Sequence, residues 1–293
     1  MSSSLNLRAP TPLEYFGHLV ADDAGLNLLE AAIAIAQDEQ PTLDVQAVLS
    51  EVDRLAQRLR QRLPADASSA HKLQLLTRYF HQELGFAGNV NDYYARDNSY
   101  IHQVLATRRG IPISLAVIFL ELAAQVGLRA QGVSFPGHFL VKLRLGSASG
   151  GGEVVMDPFT GQSLSRSRLD ELLHGYRQAG GLPDDAELPV ELFLQAATPR
   201  QILARMLRNL KEIHRSAEDW PRLLAVQQRL VLLLPQDAAE RRDRGLTLEA
   251  LGHWPAAADD LDFYLRHQAQ APDAKLLQQR LERLRERGRP PLH

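Results

Sequence analysis

The sequence contains no cysteine. A thiolate nucleophile, a cysteine-ligated zinc or iron–sulfur cluster and a disulfide switch are therefore excluded at the outset. A long hydrophobic run is also missing. The most apolar stretch, Ile111 to Leu120, is about half the length of a bilayer span and carries Pro112 and Ser114. Nor is there an excess of one charge: 33 Lys and Arg stand against 35 Asp and Glu, for a formal charge of -2. That balance argues against a surface given over to nucleic acid or anionic lipid. Walker-type loops, Gly-x-Gly-x-x-Gly and His-Glu-x-x-His are absent, and the 10 His are scattered, so neither a metal nor another cofactor is expected. Ser69 and Lys72 have the Ser-x-x-Lys spacing of penicillin-binding enzymes, but no Ser-Asp-Asn or Lys-Thr-Gly accompanies them. The opening, MSSSLNLRAPTP, has no basic segment followed by an apolar one, so the expected location is the cytoplasm.

What is present is an ordinary globular composition, 45% apolar and 23% charged over 293 residues, enough chain for about two domains. Val45, Val48, Leu49, Val52, Leu55, Leu59 and Leu63 recur three or four apart, and Leu73, Leu76, Phe80 and Leu84 repeat the pattern; both predict helices. A further helix is expected around Gly25 to Ala36. The turn-rich stretch Gly85 to Ser99 follows, with Asn98 or Ser99 as the expected cap of a short helix running to Arg108. Ile113 to Val126 predicts a buried helix closed by Gly127. Ala130 to Phe135, His138 to Leu145 and Glu153 to Met156 predict an antiparallel sheet of at least three strands, the last two joined by the turn sequence GSASGGG. The first part is thus an α+β unit.

Residues 175–197 are rich in Gly, Pro and Asp and predict a boundary, with an ordered segment at Leu188 to Leu194. Thr198, Pro199 and Gln201 then open a helix with a capping box, and Ile202, Leu203, Met206, Leu207, Leu210 and Ile213 form its apolar stripe. Trp220 and Trp254 stand 34 residues apart, and each starts a similar segment that ends in proline. A 34-residue period resembles tetratricopeptide repeats, with Asp273 to Arg287 as a closing helix. The expected division is 1–174, a linker at 175–197 and an all-α region at 198–293.

Three polar residues stand where chemistry is expected. Ser114 falls in the first turn of the buried helix, where free backbone N–H groups favour negative charge. His138 follows Gly137 near a strand start, and Asp157 ends a later strand before Pro158. Neighbouring strands can set His and Asp side by side over the helix end, in the roles of base and orienting acid to a serine nucleophile. The plainer reading has Ser114 capping its helix, His138 bonding a backbone carbonyl and Asp157 capping the turn at Pro158. Asn98 and Tyr100 are candidate oxyanion donors, and Arg108 and Arg109 candidate binders of a substrate carboxylate or phosphate. Arg205, Arg208, Lys211 and Arg215 form a basic stripe, a candidate surface for a partner; Arg241, Arg242 and Arg244 add to it.

The segments NSYIHQVLATRRGIPISLAVIFLELAAQVGL, GVSFPGHFLVKL and GGEVVMDPFTGQSLS resemble the SirB-type family of bacterial transglutaminase-like proteins. The stretch from TPRQILARMLRNLKEIH to the final helix resembles that family's repeat-containing C-terminal region. The resemblance implies a papain-like core of helices on an antiparallel sheet, with Ser114 at the nucleophile position, His138 at the base and Asp157 at the orienting acid. Transglutaminases and papain-like proteases carry Cys at that helix end, and a serine hydroxyl cannot rest as the anion a thiol becomes. Thiol-dependent transamidation is therefore excluded. Three readings follow: a peptide- or acyl-group-binding regulatory module with weak or absent catalysis, an active Ser-His-Asp hydrolase or acyltransferase, or an adaptor whose helical repeats take a protein partner. A protein or peptide partner is expected in preference to nucleic acid or membrane.

Overall fold

The computed structural model describes residues 8–146, 151–179 and 189–288, and divides into two compact units. The first comprises residues 27–36 and 42–206. It opens with α2 (Leu28–Ala34), after the α1 helix (Pro12–Leu19) that belongs to the second unit. Asn27 caps α2 by accepting from the Glu30 N–H, so the helix starts at Leu28, three residues later than Gly25. In α3 (Val45–Arg60), Asp44 caps the Ala47 N–H, and Val45, Val52, Leu55 and Leu59 are the buried stripe. Helix α4 (Ser69–Arg78) does not run on as α-helix through Leu84. Tyr79–Glu83 form a π-turn, closed by a 2.8 Å bond from the Leu84 N–H to the Tyr79 carbonyl. The extra residue in that turn keeps both Tyr79 and Phe80 buried.

Two short parallel strands, β1 (Ala87–Gly88) and β2 (Arg109–Gly110), flank α5 (Ile101–Thr107). The N-cap of α5 is Tyr100, with no side-chain cap; the expected caps Asn98 and Ser99 lie in a preceding 3-10 turn, Arg96–Ser99. Next comes α6 (Pro112–Gln125), whose first residue is proline and whose apolar residues face every direction. Nine of its residues are buried, including Ile113, Leu115, Val117 and Phe119, which makes it the central helix of this unit. Gly127, at φ 73, ends it as expected.

The sheet has four antiparallel strands in sequence order: β3 (Arg129–Val133), β4 (Leu140–Leu145), β5 (Gly152–Asp157) and β6 (Gln162–Leu164). The register pairs Val133 with Leu140 and Val141 with Met156. Most of the GSASGGG turn, residues 147–150, lies outside the described residues. Helix α7 (Arg166–Gln178) covers the sheet with Leu169 and Leu173, packed among Val133, Phe135, Leu140 and Val155. Of the expected linker, residues 180–188 lie outside the described residues; Val190–Leu194 form a 3-10 turn whose Val190 joins the same core.

The second unit comprises residues 8–26, 37–41 and 207–288, so the division falls within α8 (Pro199–Ser216) and not at 175–197. Thr198 and Gln201 make the anticipated capping box, at 3.2 and 2.8 Å. Helices α9 (Trp220–Leu233), α10 (Ala238–Ala250), α11 (Trp254–His267) and α12 (Ala274–Arg287) follow, and the two tryptophans occupy equivalent first positions of α9 and α11. Leu248, Leu261, Leu277, Leu281 and Leu284 form the core of the last three helices. Helix α1 joins this unit, although it lies at the other end of the sequence. The fully buried guanidinium of Arg229 sits over the Phe16 ring at 5.4 Å and pairs with Asp38. Burial raises the Asp38 carboxyl above its ordinary range, against the opposing pull of Arg229.

Candidate functional site

Ser114 is the third residue of α6 and is fully buried. Its hydroxyl accepts from the Ile111 N–H at 3.2 Å, which is the returning half of a capping box. It faces two carbonyl acceptors, Asn98 at 2.6 Å and Ile111 at 3.0 Å, and has one proton to give. Gly110 lies so close that a Cβ there would stand 2.7 Å from the serine oxygen. Among the described residues no bond joins Ser114 to His138.

Asp157 ends β5 as expected, and both its oxygens are occupied locally. One accepts from the Phe159 N–H at 2.8 Å and the other from the Thr160 hydroxyl at 3.0 Å, an Asx turn that closes the 157–161 loop. The pairing of Val141 with Met156 sets Leu140 opposite Asp157, so His138 approaches from two residues before that pair. Asp157 acts on His138 without a hydrogen bond between them. His138 is held below the ordinary imidazole range by burial, partly offset by Asp157 and reinforced by the positive charges of Arg205 and Arg168. His138 is thus a neutral, half-buried ring beside a carboxylate already in use.

A second histidine, not singled out by the sequence, shares this neighbourhood. His81 sits in the π-turn, where its Nδ1 bonds the Phe86 carbonyl at 2.9 Å. Its Nε2 is buried without a hydrogen-bond partner. Burial lowers its pKa against the pull of the same Asp157. A Cβ at Gly161 would lie 2.7 Å from the His81 ring, so the loop after Asp157 closes directly onto it. The helical spacing of Leu76, Phe80 and Leu84 carries no mark of the π-turn that turns His81 inward.

The remaining candidates are built into the scaffold. The Asn98 amide donates to the carbonyls of Asp92 at 2.6 Å and Tyr93 at 3.1 Å, and its oxygen accepts from Asn89. Both amide hydrogens hold the 89–95 loop, so neither is left for an oxyanion. Tyr100 is a buried core aromatic. Arg108 lies over the Phe86 ring at 4.7 Å and pairs with Glu51 at 3.6 Å, while Arg109 bonds the Gly85 and Arg108 carbonyls. The basic stripe divides. Arg208 pairs with Glu240 at 2.7 Å and Asp237 at 3.0 Å, and the buried Lys211 sits between Glu240 and Asp243, each at 2.6 Å. Arg215 pairs with Glu212. Arg208 and Lys211 thus tie α8 to α10, whereas the partner of Arg215 lies on α8 itself. Arg205 belongs to the other unit and faces the His138 turn, with its Nη1 3.5 Å from the Phe135 carbonyl. Among the described residues no cluster of three or more metal-ligating side chains occurs, and no helix is long and apolar enough to cross a membrane.

Residues 46–208 match the transglutaminase-like superfamily, and residues 210–282 match the tetratricopeptide repeat. A UPF0162 protein of Xylella fastidiosa is 39% identical over 84% of this chain and 85% of its own length. A UPF0162 protein of Vibrio cholerae is 29% identical over 93% of this chain and 97% of its own, and the Escherichia coli UPF0162 protein YchA is 25% identical over 88% and 92%. No solved structure matches. With the superfamily match spanning more than half of the sequence, and relatives aligned along nearly their whole length, this chain belongs to the transglutaminase-like superfamily, among the UPF0162 proteins, with tetratricopeptide repeats after its transglutaminase-like domain.

Proposed function

We propose that this protein is a regulatory module that binds a peptide or acyl group through its SirB-type transglutaminase-like domain and has weak or no catalysis. The observation that carries this reading is the Ser114 hydroxyl, fully buried and occupied by the Asn98 carbonyl and the Ile111 backbone. A serine nucleophile needs a base within hydrogen-bond reach and an open path to the substrate. Ser114 has neither, and His138 is left as a binding group near the surface, with Asp157 holding its own turn. The Ser-His-Asp hydrolase reading would require α6 to surrender its capping bonds.

The tetratricopeptide match favours a protein partner for the second region, the adaptor role. Arg208, Lys211 and Arg215 are each held in ion pairs, which supports seeking that partner away from these three cations.

A fluorophosphonate probe tests the catalytic half. The folded full chain is expected to remain unlabelled, and labelling that Ser114→Ala abolishes would establish the hydrolase instead. A random peptide library displayed to the full chain tests the binding half. Selected peptides are expected to shift the ring resonances of His138; a library that yields no binder overturns the module.

A further inference from the structure

We infer that Arg205 anchors a carboxylate of the bound peptide, at the turn that carries His138. The inference rests on the peptide-binding reading above and names what kind of peptide is taken.

Arg205 differs from the other cations of its helix. Its guanidinium carbon lies 5.6 Å from the Phe139 ring centroid, and its one hydrogen bond, 3.5 Å to the Phe135 carbonyl, is at the outer limit for such a contact. Among the described residues no Asp or Glu oxygen pairs with it, whereas Arg208 and Lys211 each hold two carboxylates. A guanidinium offers five N–H donors in a rigid fork that matches a carboxylate. Holding this one half-buried with a single long bond leaves most of the fork unused, in surroundings that strengthen attraction to an anion.

The groups around it form one neighbourhood. Arg205 lies against Phe135 and Phe139, the ends of the short segment that carries Gly137 and His138. Tyr176 covers Gly137, where a Cβ would stand 3.0 Å from its ring. Tyr93 and Tyr176 both act electrostatically on Arg205, and Arg205 in turn acts on His138. Beside Tyr93, 43% exposed, stand Tyr94 at 79% and Val90 at 75%, an aromatic and apolar rim suited to the residues flanking an acidic group. The charge available selects the anion. His138 is neutral, and Arg168, the other cation that reaches it, is engaged with Glu171 at 2.8 Å. One free guanidinium suits a monoanionic carboxylate better than a phosphate dianion, which calls for two or more cations.

Arginine Nε–H and histidine ring resonances of the labelled full chain provide the test. Three probes suffice: acetyl-Ala-Glu-Ala-amide, acetyl-Ala-Ala-Ala with a free carboxyl terminus, and the neutral acetyl-Ala-Gln-Ala-amide. The two acidic probes distinguish a side-chain from a C-terminal carboxylate. At least one is expected to shift Arg205 Nε–H and to raise the pKa of His138, because it cancels the neighbouring positive charge while Asp157 and Arg168 are unchanged. The neutral probe is expected to do neither. Arg205→Gln is expected to weaken the acidic probe by about tenfold or more, and Arg205→Lys, which keeps the charge but loses the fork, to recover only part of that binding. Equal binding of the neutral probe, or unchanged affinity in a natively folded Arg205→Gln, overturns the anchor and leaves the peptide module standing. If none of the probes binds but the displayed library yields binders, the anchor alone falls; if neither binds, both readings fall.

Discussion

The Ser114 hydroxyl and the Asn98 carbonyl meet at 2.6 Å, joining the first turn of α6 to a segment 16 residues earlier. Asn98 in turn holds the 89–95 loop through its side chain, so one serine and one asparagine fix the helix start and the loop together. Ser114→Ala is expected to lower stability by about 1–3 kcal/mol, because the Ile111 N–H and the Asn98 carbonyl lose a buried partner. Chemical denaturation measures the loss. Ser114→Cys should cost more, since sulfur is too large for a 2.6 Å contact beside Gly110, and its thiol should react with iodoacetamide no faster than a buried thiol does.

Gly88 gives a steric test of the loop that follows Asp157. A Cβ at this position would stand 2.2 Å from the Phe159 ring, and the Gly88 N–H bonds the Phe159 carbonyl at 3.0 Å. Gly88→Ala is expected to destabilise by about 1–3 kcal/mol, with faster amide exchange in residues 157–161. Pairing it with Phe159→Leu should recover part of that loss; no recovery would mean that the ring is not the obstacle.

Lys211 bears on the basic stripe. It is buried and held by Glu240 and Asp243, and Glu240 is itself buried. Lys211→Glu would gather three carboxylates in one place, at an expected cost of about 3–5 kcal/mol. Thermal denaturation should show loss of the fold and not a selective loss of partner capture. Arg215→Glu, on the exposed side, should change stability by less than about 1 kcal/mol.

Acid should destabilise the first unit. Burial holds His81, His102 and His138 below the ordinary imidazole value of 6.5, so the folded chain binds fewer protons than the unfolded one. Stability is therefore complete above about pH 6.5 and declines as the pH falls toward the lower folded values. For His102 both ring nitrogens are buried without a hydrogen-bond partner, and Asp97 is the charged group that opposes its burial. His102→Leu should flatten the fall in melting temperature between pH 7 and 5; an unchanged slope would remove this histidine from the account.

The sequence made some of this legible and left the rest to long-range contacts. The stripe of Val45, Val52, Leu55 and Leu59, the continuous apolar run of α6 and the 34-residue tryptophan spacing each reflect local periodicity, and each marks an observed helix. The order of Ser114, His138 and Asp157 is equally visible, but the direction of the serine hydroxyl is not. It depends on a carbonyl brought in by the 3-10 turn at Arg96–Ser99. Strand β6 has three residues, too few to show alternation. His81 escapes notice because one π-turn leaves the apolar spacing around it unchanged. The stripe on α8 looks like open basic surface because the carboxylates that pair with Arg208 and Lys211 lie at the start of α10 and its cap, 29 to 32 residues later.

The pairing of Asp38 with Arg229, 191 residues apart, has a consequence for biosynthesis. The opening helix leaves the ribosome well before the partners it packs against have been translated. The transglutaminase-like region between them can condense as it is made, but the repeat unit must wait for the final third of the chain. Until then α1 carries an apolar face without its permanent cover.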